Sequence, residues 1–151
     1  MQISFSLSWI PEERKLKQAF KNSSAGNLFF EYTKRIQKYT DCNCEARLRQ
    51  GVKSPSEVLW FCDTKPKSKM LSSEDLAGQL RNILQSGMKR WRIAVGGPDG
   101  FSAEDREAFR PDTYWNFGPM TLPHELAAVV AAEQIYRAWT ILKGEPYHLN
   151  H

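Results

Sequence analysis

The chain has 151 residues, enough for one domain around a single hydrophobic core, and hydrophobic residues make up 41% of it. It contains no apolar run approaching the roughly 20 residues that cross a membrane as a helix, so a membrane protein is not expected. The first residues, Met1–Leu7, have neither the basic region nor the cleavage site of a signal peptide. Three cysteines, an odd number without a disulfide framework, favour a reducing, cytoplasmic location.

The whole chain has a net charge of +4. Its positive charge is concentrated in the first half. Residues 1–69 hold 13 Lys or Arg and 7 Asp or Glu, a difference of +6, whereas residues 70–151 hold 8 and 10, a difference of −2. An excess of this sign is expected of a surface that meets phosphates, although a solvated surface gives the same pattern. Lys65, Lys67 and Lys69 are therefore either phosphate contacts or members of a solvated loop.

Metal binding has little support in the sequence. Cys42 and Cys44 are separated by one residue, but no C-x-x-C pair or cluster of histidines accompanies them. The histidines are His124, His148 and His151, and no Ser-His-Asp series is apparent. We therefore expect neither a metal site nor hydrolase chemistry.

Strands and helices alternate along the chain. Period-two patterns and short apolar runs predict strands at Met1–Ser8, Asn43–Arg49, Glu57–Cys62, Trp91–Val95 and Thr113–Phe117. Period-3.6 patterns and cap signals predict helices at Leu28–Tyr39, from Ser72–Asp75 to Gly87, at Ser102–Phe109 and at His124–Leu142, with a possible short helix in Pro11–Lys21. The segments Asn22–Gly26 and Gly51–Ser56 are predicted to be a turn and a loop. This order is typical of an α/β fold with a largely parallel sheet in one domain, residues 1–151.

The helix predicted at His124–Leu142 is apolar almost all round, whereas a surface helix has a single apolar stripe. It must be covered on most sides by a sheet, by a second subunit, or by both. A buried structural helix is one interpretation, and a homodimer is the other consequence that we expect. Glu133 and Arg137 are spaced to pair along one face of this helix.

Three loops follow predicted strands: Cys62–Lys69, Gly96–Gly100 and Phe117–Leu122. In an open parallel sheet, ligands bind beyond the carboxyl ends of the strands, where these loops lie. The glycine-rich loop lacks the Lys-Ser/Thr ending of a phosphate-binding P-loop and is not a G-x-G-x-x-G sequence. By themselves these loops indicate a binding site or only tight connections.

Three motifs carry a family resemblance, and the joint pattern of GGP-G, T-LPH, EQ-YRAW and PYH within the last two is specific. They are KMLSSEDLA at Lys69–Ala77, VGGPDGFS at Val95–Ser102 and MTLPHELAAVVAAEQIYRAWTILKGEPYH at Met120–His148. They closely resemble the bacterial methyltransferases that modify N3 of a pseudouridine in 23S ribosomal RNA, which belong to the SPOUT class. The strong resemblance covers about residues 57–148. The family usually has another helix before its third strand, where this chain has only Gly51–Ser56, and a glycine where this chain has Ser68.

The resemblance implies a SPOUT α/β fold with a C-terminal trefoil knot, a homodimer, and methylation of N3 of a pseudouridine in ribosomal RNA. It implies S-adenosylmethionine as the methyl donor, held largely by backbone groups of the three loops. Matched motif to motif, the cofactor-binding residues are Cys62, Gly96, Phe117, Gly118, Pro119, Met120, Thr121 and Leu122. The partners implied are the ribosome and a second copy of the chain, without a membrane or a metal.

The resemblance also suggests a catalytic group formed by Arg137, Tyr147 and His148. Arg137 either pairs with Glu133 or contacts RNA or cofactor across a dimer interface. Tyr147 and His148 either belong to a frayed chain end or fold over a nucleobase, as a stacking ring beside a titratable ring. His124, at the start of the last helix, is interpreted as structural. A ribosome-binding module that has lost catalysis is the alternative function, and a small-molecule enzyme that reuses the glycine loops is a further one.

Overall fold

A six-stranded parallel sheet forms the centre of the computed structural model, which describes residues 1–49, 53–65 and 67–150. The strands are β1 (Gln2–Leu7), β2 (Asp41–Glu45), β3 (Glu57–Cys62), β4 (Lys69–Met70), β5 (Arg90–Val95) and β6 (Thr113–Asn116). Their order across the sheet is β2-β1-β5-β3-β6-β4. β3 and β4 follow one another in the sequence, yet β6 lies between them. All strands point the same way, so their carboxyl ends meet at one edge.

Four α-helices pack on the sheet. Two short 3-10 helices lie before the first and after the last of them, at Glu13–Gln18 and His148–Asn150. The α-helices are α1 (Ser23–Ile36), α2 (Ser73–Gln85), α3 (Ala103–Phe109) and α4 (His124–Leu142). α4 packs between α1 and α2 on one side of the sheet. Its alanines at positions 128, 131, 132 and 138 are fully buried, and such small side chains let neighbouring helices approach closely.

The main core lies between the sheet and these three helices. β1 illustrates the alternation, since Ile3, Phe5 and Leu7 enter this core while Ser4 and Ser6 point to the other face. Tryptophans from three strands meet in the core, with Trp60 packing edge-on against Trp91 at 4.8 Å and Trp115 at 5.7 Å. The period-two pattern of the first strand therefore marks the core side correctly.

The opposite face of the sheet has an apolar region and a polar region. The apolar region is a small cluster in which Phe61 stacks on Phe101, the residue before the cap of α3, at 4.0 Å between ring centroids. The polar region is a group of four charges, in which Arg90 and Arg92 of β5 bind Glu45 and Glu57 of other strands. Arg90 lies 2.6 Å from Glu45 and 3.9 Å from Glu57, and Arg92 lies 3.2 Å and 3.7 Å from the same residues.

The bounds of β3 and α4 agree with the sequence predictions, whereas those of α1 do not. The segment Asn22–Gly26 is predicted to be a turn, but α1 begins at Ser23 and the Asn22 side chain accepts a hydrogen bond from the Ala25 amide. Asn22 is thus an N-cap, which stabilises a helix start rather than a turn. α1 also ends at Ile36 rather than Tyr39. The predicted turn is in fact the first turn of this helix.

The second strand is also shifted, covering Asp41–Glu45 instead of Asn43–Arg49. The register with β1 pairs Gln2 with Asp41 and Ser6 with Glu45, so β2 ends one residue before the end of β1. The two-residue β4 is absent from the sequence prediction, because two residues carry no periodicity. The predicted loop Gly51–Ser56 begins outside the described residues. Within the described ranges, no helix is long and apolar enough to cross a membrane. The trefoil knot and the single domain stay predictions.

The packing of α2 on α4 can be tested at Leu80, which is fully buried. Leu80→Ala should lower the free energy of unfolding by about 2–5 kcal/mol, because it removes buried methyl groups and leaves a cavity. Urea denaturation measures this difference. Arg81→Ala, at the next and exposed position of α2, is the control and should change stability by no more than about 0.5 kcal/mol. Equal small effects for both variants would contradict this packing.

Candidate functional site

A pocket opens at the carboxyl edge of the sheet, where the loops after β3, β5 and β6 meet the start of α4. It encloses about 680 Å³, including the space open to solvent. The lining residues are Cys62, Asp63, Thr64, Val95, Gly96, Gly97, Pro98, Gly100, Trp115, Asn116, Phe117, Met120, Thr121, Leu122, His124 and Ala127. All three loops singled out in the sequence therefore contribute to one site.

The backbone approaches closely at Gly96, the first residue after β5. A Cβ atom there would lie 3.2 Å from the Cα of Gly100 and 3.3 Å from the ring of Phe101. Only a glycine fits this turn without displacing backbone. The turn is closed by a hydrogen bond of 2.9 Å from the Gly100 amide to the Gly97 carbonyl. This wall of the pocket consequently presents main chain rather than side chains.

The loop after β6 also depends on a glycine and is fixed by hydrogen bonds. Gly118 has a φ of +119°, a conformation that L side chains rarely adopt. Its amide donates a hydrogen bond of 2.9 Å to the side-chain oxygen of Asn116, and the Asn116 amide group donates to the Ser68 hydroxyl at 3.2 Å. The Ser68 hydroxyl thereby links the loop after β3 to the loop after β6.

Asp63 ties the loops to one another. Its amide donates to the Trp115 carbonyl at 3.0 Å, at the end of β6. Its carboxylate accepts from the Arg106 guanidinium of α3 at 3.0 Å, in a largely buried ion pair. Because α3 follows the glycine loop, this one residue connects all three segments of the pocket wall.

The first turn of α4 closes the pocket from the other side. His124, which lines the pocket, packs edge-on against Trp9 at 4.6 Å, and Trp9 also faces Gly97. The Glu125 carboxylate accepts hydrogen bonds from the amides of Lys21 and Asn22. The segment between β1 and α1, with its short 3-10 helix, is thereby fixed beside the pocket. Trp9 thus supports two pocket residues, His124 and Gly97, and no sequence motif indicates this role.

The cysteines are not poised as nucleophiles. Burial raises the pKa of Cys42 to about 12, and burial, followed by the charge of Glu13, raises the pKa of Cys44 to about 12. Burial also raises the pKa of Cys62 in the pocket. A thiol must ionise to react or to bind a metal. Among the described residues, no group of three His, Cys, Asp or Glu side chains comes together to hold a metal ion.

A second group of polar side chains lies farther along α4, centred on Glu133. One carboxylate oxygen of Glu133 accepts from Arg137 Nη2 at 2.6 Å, Arg137 Nε at 2.9 Å and the Tyr147 hydroxyl at 3.0 Å. The Arg137 guanidinium lies 4.8 Å from the centre of the Tyr147 ring. The Tyr147 ring packs edge-on against Tyr136 at 4.9 Å. The chain end at Tyr147 is therefore packed on α4.

His148 connects this group, which we call the C-terminal cluster (Glu74, Glu133, Arg137, Tyr147 and His148), to the start of α2. Its Nδ1 lies 3.1 Å from Arg137 Nη1, and its Nε2 lies 2.7 Å from Glu74 Oε1. The hydrogen bond from His148, aided by the helix-start amide of Glu74 itself, lowers the pKa of Glu74. Burial, followed by a hydrogen bond to Tyr32, raises the pKa of Tyr147, so its hydroxyl stays protonated.

The structure brings the predicted residues together in two places. Cys62, Gly96, Phe117, Met120, Thr121 and Leu122 line the main pocket. Gly118 lines a neighbouring pocket with Ser73 and Gln134, and Pro119 is exposed in the same loop. Arg137, Tyr147 and His148 belong to the C-terminal cluster. Arg137 lies ten residues beyond Ala127 in α4, a rise of about 15 Å, which separates the two groups within one chain.

A parallel sheet whose loops form a backbone-walled pocket at its carboxyl edge is the arrangement of an α/β protein that binds a nucleotide-like ligand. A family model described as a predicted SPOUT methyltransferase matches residues 48–148, two thirds of the chain. The chain belongs to the SPOUT methyltransferase family. The resemblance noted in the sequence motifs is thereby confirmed.

Several curated relatives are named ribosomal RNA large subunit methyltransferase H. The one from Deinococcus deserti is 36% identical over 130 residues, which cover 78% of this chain and 85% of that protein. The one from Psychrobacter sp. PRwf-1 is 38% identical over 128 residues, covering 85% of this chain and 71% of that protein. The one from Hahella chejuensis is 50% identical over 72 residues, covering 43% of this chain and 45% of that protein.

SPOUT methyltransferases use S-adenosylmethionine as methyl donor, and the pocket fits such a group. The close approach of Gly96 to Gly100 leaves main chain on this wall of the pocket, so a bound ligand can lie against backbone groups there. The apolar side chains of Phe117, Met120 and Leu122 offer contacts for an adenine ring. The chain is an S-adenosylmethionine-dependent methyltransferase of this family.

Gly96→Val should abolish detectable binding of S-adenosylmethionine while the fold persists, because the branched side chain must displace the backbone at Gly100. Isothermal titration calorimetry measures the affinity, and circular dichroism measures the fold. Gly78→Ala in α2 is the control, since a Cβ there meets nothing within 4 Å, and it should bind like wild type. Wild-type affinity in Gly96→Val would place the cofactor elsewhere.

Proposed function

We propose that the chain methylates N3 of a pseudouridine in the large-subunit ribosomal RNA, in the cytoplasm, and that Arg137, Tyr147 and His148 act on the target base. The observation that carries the proposal is the pocket at Gly96 and Phe117–Leu122 in a chain whose relatives bear the name ribosomal RNA large subunit methyltransferase H. The sequence motifs KMLSSEDLA, VGGPDGFS and PYH support the pseudouridine specificity by resemblance.

The pocket residues act by position rather than by covalent chemistry. Bound S-adenosylmethionine supplies a methyl group on a sulfonium, and the transfer to nitrogen is an in-line displacement that depends on alignment and exclusion of water. The Asp63–Arg106 pair keeps the pocket loops in register. None of these roles requires an ionised cysteine. The residues proposed to bind and orient the donor are Cys62, Gly96, Phe117, Gly118, Pro119, Met120, Thr121 and Leu122.

The C-terminal cluster is proposed to act on the base. The base must give up its N3–H proton to solvent water before or during methylation, so negative charge develops on the ring. A guanidinium stabilises such an anion, and Arg137, held by Glu133, is a preorganised one. Tyr147, beside Arg137, provides a ring on which a base can stack. His148 lies next to the same guanidinium.

A homodimer would reconcile the two places. α4 keeps a partly exposed stripe, which passes the main pocket at one end and the C-terminal cluster at the other. Leu126 and Met120 near it are exposed apolar side chains, at 45% and 75%. A second copy packed on this stripe in the opposite direction would bring the cluster of one protomer to the pocket of the other. The stripe includes His124, Ala127, Val130, Gln134 and Arg137.

The function is tested by incubating the protein with S-adenosylmethionine carrying a labelled methyl group and ribosomes that lack this modification. We expect label in the large-subunit RNA, and mass spectrometry of the nucleosides should identify N3-methylpseudouridine. The alternative is a ribosome-binding module without catalysis. Such a module would bind ribosomes without transferring label, and that result would contradict the proposal.

Arg137→Lys should lower the rate of methyl transfer by about tenfold or more while leaving the affinity for S-adenosylmethionine unchanged. Lysine keeps the charge but loses the planar fork that binds Glu133 and His148 together. Single-turnover assays give the rate and calorimetry gives the affinity. Arg81→Lys, exposed on α2, is the matched control. A wild-type rate in Arg137→Lys would remove this guanidinium from the reaction.

The dimer is tested by light scattering at micromolar concentration. One chain has a mass of 17.4 kDa, and we expect the measured mass to be twice this value. Leu126→Glu should shift the mass toward the monomer, because it places a charge in the apolar region of the proposed interface. Leu28→Glu, at an equally exposed leucine of α1, is the control and should leave the mass unchanged. A monomeric wild type would contradict the arrangement.

A further inference from the structure

Both ring nitrogens of His148 are engaged. Nδ1 faces Arg137 Nη1 at 3.1 Å, and Nε2 faces Glu74 Oε1 at 2.7 Å. A guanidinium can only donate hydrogen bonds, and an ionised carboxylate can only accept them. Arg137 therefore requires a hydrogen-bond acceptor at Nδ1, and Glu74 requires a hydrogen-bond donor at Nε2.

These demands select one form of the imidazole. Nδ1 must carry a lone pair to accept from Arg137, and Nε2 must carry the proton to donate to Glu74. This is the neutral Nε2–H tautomer. A protonated ring would turn an N–H toward the Arg137 guanidinium, and the other neutral tautomer would face Glu74 with a lone pair.

From this geometry we infer that Glu74, at the start of α2, is a positioning residue for methyl transfer, holding His148 in the Nε2–H form so that Nδ1 orients the Arg137 guanidinium. The inference rests on the proposed role of Arg137 and extends it to a residue on another helix. It also gives His148 an orienting role, because neither ring nitrogen is left to accept the N3 proton of the base.

The place of Glu74 in the fold supports this role. The Ser72 side chain caps α2 by accepting from the Asp75 amide at 3.0 Å, which fixes the first turn that carries Glu74. Ser73 in the same turn donates to Gln134 of α4 at 2.7 Å, and Gln134 in turn donates to Glu133. The start of α2 is thus attached to α4 beside the residues that hold Arg137.

A purely electrostatic role of Glu74 at the helix start is the competing explanation, since carboxylates there interact favourably with the helix dipole. Its side chain is 65% exposed, so its pair with His148 adds little to stability. Asp75 occupies the same turn and provides the same favourable charge. A comparison of the two positions therefore separates orientation of His148 from the dipole effect.

The test combines the imidazole NMR spectrum with kinetics for Glu74→Ala, Glu74→Gln and the control Asp75→Ala. Nitrogen–proton correlation spectra at about pH 8, above the ordinary titration range of imidazole, distinguish the two neutral tautomers. His148→Gln identifies which signals belong to His148. We expect the Nε2–H form in wild type, in Asp75→Ala and in Glu74→Gln, whose amide oxygen still accepts from Nε2. Glu74→Ala should show a mixture of tautomers.

Methyl transfer should follow the spectra. We expect kcat to fall by about tenfold or more in Glu74→Ala, the scale of a misoriented reacting group, with KM for S-adenosylmethionine unchanged. Glu74→Gln should retain most of the wild-type kcat, which a role of the charge alone would not allow. A wild-type spectrum or a wild-type kcat in Glu74→Ala overturns the inference, and so does an equal loss in Glu74→Gln.

Failure of the proposed function is distinguishable from failure of this inference. If wild-type protein transfers no methyl group to ribosomes, the proposed substrate is wrong. The His148 spectra of the same variants still decide whether Glu74 sets the tautomer. A mixture of tautomers already in wild-type protein would overturn the inference whatever the substrate.

Discussion

Burial of α4 is the constraint on which the rest of the structure depends. Its small buried residues allow α1 and α2 to pack on either side of it, and this packing covers one face of the sheet. The same helix begins at the pocket with His124 and carries Arg137 about three and a half turns farther along. A continuous helix of 19 residues sets the separation of these groups almost rigidly. Packing and the placement of functional groups are therefore consequences of one element.

The pocket itself is built by constraints on the main chain. Parallel strands bring three distant loops to one edge, and Gly96 and Gly118 supply the close approach and the positive φ that those loops need. Two side chains that line the pocket also fix its loops: Asp63 accepts from Arg106 of α3, and Asn116 donates to Ser68 in the loop after β3. Such a pocket is formed before any ligand enters, which reduces the ordering that binding requires.

Much of this can be predicted from local sequence, and the failures have physical causes. β3 and α4 are long or strongly apolar, so their patterns carry their bounds. The start of α1 escapes prediction because Asn22 favours turns and N-caps equally, and only tertiary packing decides between them. The position of the pocket loops follows from their place after strands, but the contacts of Asp63, Trp9 and Glu74 join residues far apart in the chain. No periodicity records such contacts.

The four charges on the second face of the sheet have a consequence for how the chain can change over generations. Arg90, Arg92, Glu45 and Glu57 are mostly buried and neutralise one another. Losing one leaves a partner charge uncompensated, which is costly, whereas replacing all four by apolar residues can be nearly neutral. A single substitution among these four charges is therefore costly, and we expect the four positions to change together. A related protein with a helix packed over this face of the sheet would need apolar residues at all four positions.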